Sequence, residues 1–174
     1  MNSNTIISPP KAMLFAAGLG TRLRPFTDHH PKALVKVNGT TVLERNIQYL
    51  KSFGVNELVI NVHHFADQIR EFLEVNENFG VKIEISDESQ EVLETGGGLV
   101  KARNLLGDKD FLVMNVDILT DLNLEKLIES HRQNQPLVTL AVSDRVSSRK
   151  LLFEENLELK GWRNLNTGEE ILAS

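Results

Sequence analysis

At 174 residues, 41% of them hydrophobic, the chain is long enough for one domain with a substantial core and too short to expect two. Its 19 basic and 24 acidic residues leave a net charge of -5, which excludes the polycationic surface that nucleic acid requires and favours a small anionic ligand. With no cysteine, neither a disulfide framework nor a thiolate metal site is available.

Residues 1–11 read as a flexible tail without an apolar stretch of signal-peptide length. No segment approaches the ~20 apolar residues needed to span a bilayer, which points to a cytoplasmic protein without a membrane partner. The apolar run Ala12–Ala17 reads as a buried strand that passes into a glycine-rich, cationic loop. Helical spacing follows at Leu43, Ile47 and Leu50, stopped by Gly54, and then a buried strand at Leu58–Val62. A second helix carries Ile69, Phe72 and Leu73 and stops near Gly80. Val81, Ile83 and Ile85 alternate as a half-exposed strand does. Leu99, Ala102 and Leu106 mark a third helix stopped by Gly107, and Phe111–Met114 reads as a buried strand. Leu124, Leu127 and Ile128 form a fourth helix that ends before Pro136, and Leu137–Val142 reads as a further buried strand. Beyond it, Leu151–Glu155 and Leu157–Lys160 suggest a short hairpin around Glu155-Asn156.

This alternation predicts an α/β fold, a Rossmann-like open and mostly parallel sheet flanked by helices, in one domain over residues 1–174. Right-handed crossovers and the tendency of ligands to gather at the carboxyl ends of strands place the loops after Ala17, Val62, Ser86 and Asn115 around one crevice.

The first of those loops is the most informative. Gly18 and Gly20 allow a sharp turn that presents backbone N–H groups to anionic oxygens, and Thr21, Arg22, Arg24 and Lys32 add a hydroxyl and three cations. The Walker pattern is excluded because Thr21-Arg22, not Lys followed by Ser or Thr, comes after Gly20. The dinucleotide fingerprint fits Gly18-x-Gly20 but puts Leu23 where a third small residue belongs.

The segment Ala16-Ala-Gly-Leu-Gly-Thr-Arg-Leu-Arg-Pro-Phe-Thr, followed by Pro31-Lys32-Ala-Leu-Val, Leu93-Glu-Thr-Gly-Gly-Gly-Leu and Asn115-Val-Asp-Ile-Leu, resembles the signature of the sugar nucleotidyltransferases. These enzymes join a sugar 1-phosphate to a nucleoside triphosphate and release pyrophosphate. The Glu-Thr-Gly-Gly-Gly version is most similar to the branch containing N-acetylmuramate 1-phosphate uridylyltransferases and mannose 1-phosphate guanylyltransferases, and the resemblance runs from Lys11 to Gly168. It implies the nucleotide-diphospho-sugar transferase fold, with UTP or GTP and a sugar 1-phosphate as partners. It also implies a nucleotide site at Ala16, Ala17, Gly18, Gly20, Thr21 and Arg22. In that family further elements complete the sugar pocket and carry a second metal-binding aspartate. The resemblance therefore implies the nucleotide-binding portion of a longer protein, or a truncated version, which is expected to bind nucleotide better than it turns over.

Two anions meet in such a reaction, so cations aimed at phosphates matter more than an acid or base. Arg22 suits the β- and γ-phosphates through its planar fork, and Lys32 suits the space between the α-phosphate and the incoming sugar phosphate. Asp117, just past an apolar strand, is placed to hold Mg²⁺, the expected cofactor. The competing role, capping the next helix, fits Asp121 or Asn123 better. Asn115 matches a family position near the sugar. Thr95, Gly96 and Gly97 match the segment that contacts the base, the alternative being a loose loop with a threonine cap. Glu88, Ser89 and Gln90 are candidates to read the base edge. Adjacent His63 and His64 point to opposite sides of an extended segment and do not suggest zinc, and Trp162 reads as packing. Two rival readings remain: a regulatory nucleotidyltransferase-like subunit that binds without catalysis, and transfer to a non-sugar phosphate such as phosphocholine.

Overall fold

A computed structural model describes residues 9–91 and 93–172. The chain divides into two compact units, residues 1–133 and 134–174. The first eight residues of the expected tail lie outside the described region, and Lys11 already belongs to a strand.

In chain order the first unit holds β1 (Lys11–Phe15), the small hairpin of β2 (Lys36–Val37) and β3 (Thr40–Thr41), α1 (Val42–Ser52), β4 (Glu57–Val62), α2 (Ala66–Val75), β5 (Lys82–Asp87), α3 (Thr95–Leu106), β6 (Phe111–Asn115) and α4 (Leu124–Asn134). Four strands form one sheet in the order β5-β4-β1-β6, every neighbouring pair parallel. The two central strands are apolar almost throughout because both faces are covered. The edge strand β6 alternates instead. Phe111 and Val113 are exposed, so the expectation of a fully buried strand there holds for position and not for burial.

The two faces carry separate cores. Ala12, Leu14, Leu58 and Ile60 pack with Leu43, Ile47 and Leu50 of α1 and Ile69 and Leu73 of α2. On the other face Met13 and Val59 pack with Ala102 and Leu106 of α3. The caps explain the boundaries. Thr41 Oγ1 accepts from the Glu44 N–H at 3.1 Å to open α1, and Asn123 Oδ1 accepts from the Lys126 N–H at 3.0 Å to open α4. Gly54 and Gly107, at φ 79° and 81°, follow α1 and α3.

Connectivity sets the position of the site. From β1 the chain steps outward to β4 and β5, then crosses back through α3 to place β6 on the opposite side of β1. The order reverses between β1 and β6, the point where open α/β sheets form a crevice beyond the strand ends.

The second unit is an antiparallel meander of β7 (Arg149–Phe153), β8 (Leu159–Asn164) and β9 (Glu170–Leu172). The expected hairpin is present, its turn closed by Glu154 N–H to Glu158 O at 2.9 Å. The strand expected at Leu137–Val142 is not formed. Residues 137–142 are neither strand nor helix, and Leu137, Val138 and Val142 are exposed. An apolar run records the tendency to be buried but not the presence of a neighbouring strand to bond to.

Candidate active site

The cradle leaves the sheet at Phe15 and is held from below. Ala16 and Ala17 are buried, and their N–H groups donate to Asn61 Oδ1 on β4 at 2.7 and 3.3 Å. Their amides are thus occupied within the protein. Gly20 then takes a left-handed conformation at φ 65°. Its carbonyl accepts from Thr27 Oγ1 at 2.8 Å and from the Leu23 N–H at 2.9 Å, which closes the turn over Thr21–Leu23. A Cβ at Gly20 would lie 2.9 Å from Thr27 Cγ2 and 3.2 Å from Lys32 Cβ, so both conformation and space demand glycine. At Gly18 a Cβ would lie 3.4 Å from Lys32 Nζ.

Pro31 turns the chain into the short helical turn Lys32–Leu34, anchored by fully buried Ala33. Lys32 Nζ reaches Asp117 Oδ2 at 3.0 Å, the lysine side chain 17% and the aspartate 48% exposed. The two residues come from the loops after β1 and β6, on either side of the point where strand order reverses. They share a cavity of about 510 Å³ with Gly20, Thr21 and Arg22, walled by Val37, Val42 and Leu119 among others. A smaller cavity of about 280 Å³ lies against α2 and β5 and includes none of the expected site residues.

The Asp117 loop is itself clamped. The Val116 N–H extends the β1–β6 ladder to Phe15 O at 3.1 Å, and buried Asn46 of α1 donates through Nδ2 to Val116 O at 2.6 Å. One helical turn on, the Tyr49 hydroxyl donates to Leu122 O. Burial, reinforced by the nearby Asp121 carboxylate, raises the Tyr49 pKa and keeps that donor protonated.

Asn115 stands in register with Phe15 at the end of β6 and is not part of the cavity wall. Thr95, Gly96 and Gly97 form the first turn of α3 on another loop at the same end of the sheet. Glu94 occupies the cap position without a side-chain cap bond, so Thr95 is no N-cap. A Cβ at Gly96 meets nothing within 4 Å, leaving open space beside the backbone, whereas one at Gly97 would lie 3.1 Å from Leu93 Cβ.

Glu88 corrects the reading of its loop, because it is fully buried and cannot face a base from the surface. Its Oε1 accepts from Asn61 Nδ2 at 2.9 Å. A Cβ at Gly98 would lie 3.0 Å from that Oε1 and 3.3 Å from Asn61 Nδ2, so this third glycine serves internal packing. Beside it, the Asp87 carboxyl is held down at about 2 by hydrogen bonds from Ser89, hydroxyl first and then backbone N–H, with Arg70 at 2.6 Å adding to the effect. His63 donates through Nδ1 to Glu88 O at 2.6 Å, and no group of three His, Cys, Asp or Glu residues able to hold a metal is found among the described residues.

A parallel sheet with this switch point, a glycine cradle and a lysine facing an aspartate across the crevice define the nucleotide-diphospho-sugar transferase fold. Residues 11–150 match the Nucleotidyl transferase family, and the chain belongs to it. It is 45% identical over 112 residues to an N-acetylmuramate alpha-1-phosphate uridylyltransferase of Caulobacter vibrioides, covering 63% of this chain and 46% of that relative. It is 35% identical over 136 residues to a mannose-1-phosphate guanyltransferase of Hypocrea jecorina, covering 76% and 37%. The chain thus spans about half the length or less of these curated relatives. Among solved structures, HddC from Yersinia pseudotuberculosis, complexed with GMP-PN, superposes with a TM-score of 0.71 at 23% identity, over 88% of this chain and 68% of that one.

Proposed function

We propose that this chain carries the nucleotide-binding and phosphate-facing machinery of an enzyme that joins a nucleoside triphosphate to a sugar 1-phosphate. An oxygen of the sugar phosphate attacks the α-phosphorus, a new P–O bond forms, the bond between the α- and β-phosphates breaks, and pyrophosphate leaves with the electron pair. The leaving group departs as an anion, so the demand on the protein is positive charge and alignment. Arg22 meets the β- and γ-phosphates, and Lys32 meets the α-phosphate and the acceptor. Ala16, Ala17, Gly18, Gly20 and Thr21 line the nucleotide, with Thr95, Gly96 and Gly97 beside the base and Asn115 toward the sugar. The observation that carries this reading is the meeting of Lys32 and Asp117 at 3.0 Å in a cavity floored by the glycine loop.

Asp117 suits Mg²⁺, which binds through one or two carboxylates together with substrate phosphate oxygens, and a half-exposed carboxylate facing the cavity is that kind of donor. When bound, the ion supplies charge neutralisation at the phosphates. The uridylyl and guanylyl relatives favour UTP or GTP as the donor. We also propose a cytoplasmic location, where nucleoside triphosphates are plentiful; separately, no helix among the described residues is long and apolar enough to cross a membrane. Calorimetric titration with ATP, CTP, GTP and UTP, followed by pyrophosphate release with a panel of sugar 1-phosphates, tests the proposal. Selective binding of one or two nucleotides supports it, and binding of none overturns it.

A further inference from the structure

Buried polar groups outside the cavity converge on one residue. Glu88 is fully buried, and the last two residues of β4 and His63 just after them hold it at three points. Its N–H donates to Val62 O at 2.7 Å, its carbonyl accepts from His63 Nδ1 at 2.6 Å, and its Oε1 accepts from Asn61 Nδ2 at 2.9 Å. Asn61, itself 2% exposed, turns its other amide atom to the cradle, where Oδ1 accepts both the Ala16 and Ala17 N–H groups.

An asparagine amide can present oxygen or nitrogen in either direction, and the wrong orientation would set an NH₂ group against two N–H donors. The Glu88 oxygen removes that freedom, since it receives the NH₂ and leaves the amide oxygen for the cradle. The same Oε1 lies where a Cβ on Gly98 would come within 3.0 Å, so the glycine lets the first turn of α3 settle onto the carboxylate. A single buried group therefore touches both segments assigned to the nucleotide: the cradle through Asn61, and the triple-glycine turn directly. Its Oε2 is buried without a hydrogen-bond partner among the described residues.

We infer that Glu88 and Asn61 are a positioning pair that latches the glycine cradle and the start of α3 to the end of β4, so that the two halves of the nucleotide site are held at a fixed separation. The inference rests on the nucleotide-binding reading above. Neither residue touches the ligand; both act through the backbone they hold.

The test compares Glu88→Gln with Glu88→Ala in the full chain. Glutamine keeps an oxygen for the Asn61 NH₂ group, whereas alanine leaves that NH₂ buried and unpaired. Amide hydrogen exchange at Ala16 and Ala17 should accelerate about tenfold in Glu88→Ala beyond any change at β1 and α1 amides, the scale of one lost buried hydrogen bond, and should stay near the parent in Glu88→Gln. Affinity for the nucleotide that the parent binds should fall about tenfold in Glu88→Ala and be rescued in Glu88→Gln. An Asn61→Asp variant sets a carboxylate against Glu88, and the double variant Asn61→Asp with Glu88→Gln should regain much of the stability lost. Equal exchange at Ala16 and Ala17 in all forms, or identical affinities in Glu88→Ala and the parent, overturns the latch. If the parent binds none of the four nucleotides, the functional proposal fails, and the exchange rates and the double-variant cycle decide the latch alone.

Discussion

The Lys32–Asp117 pair makes opposite demands on two substitutions, and the signs separate a phosphate site from a structural ion pair. At 3.0 Å, with the aspartate half exposed, the pair contributes at most about 1 kcal/mol to folding, because water screens it. Lys32→Met keeps the aliphatic stem beside Gly18 and Gly20 and should shift the melting temperature by no more than about 2–4 °C. A charge-assisted hydrogen bond to phosphate is worth about 1.5–3 kcal/mol, so the same variant should weaken nucleoside triphosphate binding by roughly 10- to 150-fold. Asp117→Asn acts in the other direction when no metal is present. The aspartate competes with the phosphate for Lys32, and its neutralisation frees a cation worth up to about 1 kcal/mol, so metal-free binding should tighten by up to about fivefold. In Mg²⁺ the advantage should disappear, because the carboxylate proposed to hold the ion has been removed. Calorimetry in chelator and in Mg²⁺, with thermal unfolding of each variant, measures all these quantities. Two variants that weaken metal-free binding equally, or a Lys32→Met whose loss of binding is matched by loss of fold, would refute the reasoning.

Three further expectations follow from the same geometry. Gly20→Ala forces a side chain into a left-handed position 2.9 Å from Thr27 Cγ2, and denaturant unfolding should show a loss of about 1–2 kcal/mol or more; an unchanged midpoint would mean the loop relaxes freely. Asn46→Ala leaves the buried Val116 carbonyl without its partner and should cost about 1–3 kcal/mol, while blunting the response of nucleotide binding to Mg²⁺; thermal unfolding and a metal titration check both. The Asp87 carboxyl, lowered in the folded chain from 3.8 to about 2, stabilises the fold at pH values above its unfolded pKa, and that contribution is lost as pH falls from about 4 through about 2. Asp87→Asn should therefore flatten the acid limb of a stability profile in that window, and a limb unchanged by the substitution would count against the assignment.

What could be read in the sequence was what short segments encode by themselves. The cradle announces itself because Gly18, Gly20, Arg22 and Lys32 stand close together along the chain, and Asp117 because it lies just past an apolar strand. The helices could be read from Leu43, Ile47 and Leu50 and their counterparts, since period and caps are local. Contacts that depend on register could not. Asn61 is visible only as a polar residue inside the apolar run Leu58–Val62. Glu88 sits in an acidic stretch that reads as surface, and nothing local shows that α3 closes over it with Gly98. The Leu137–Val142 run failed for a related reason: strand formation needs a partner, and a partner is not written in the segment itself.

The site then divides by how firmly its parts are held, and the division bears on which substitutions should alter affinity and which should alter rate. Beneath the proposed nucleotide site, Ala16, Ala17, Asn61 and Glu88 are at least nine-tenths buried and joined by hydrogen bonds of 2.7 to 3.3 Å, so that layer is ordered by the protein's own contacts. Across the cavity, Lys32 is bound to Asp117, and on the proposed function it exchanges that partner for phosphate, a rearrangement that a pair with a half-exposed carboxylate permits at little cost. Preformed contacts act on substrate and transition state alike, whereas a cation that completes its contacts as charge develops acts on the transition state more. Substitutions in the buried layer should therefore appear in the dissociation constant, and those at Lys32 and Asp117 should extend further, into the rate of the proposed step that breaks the triphosphate.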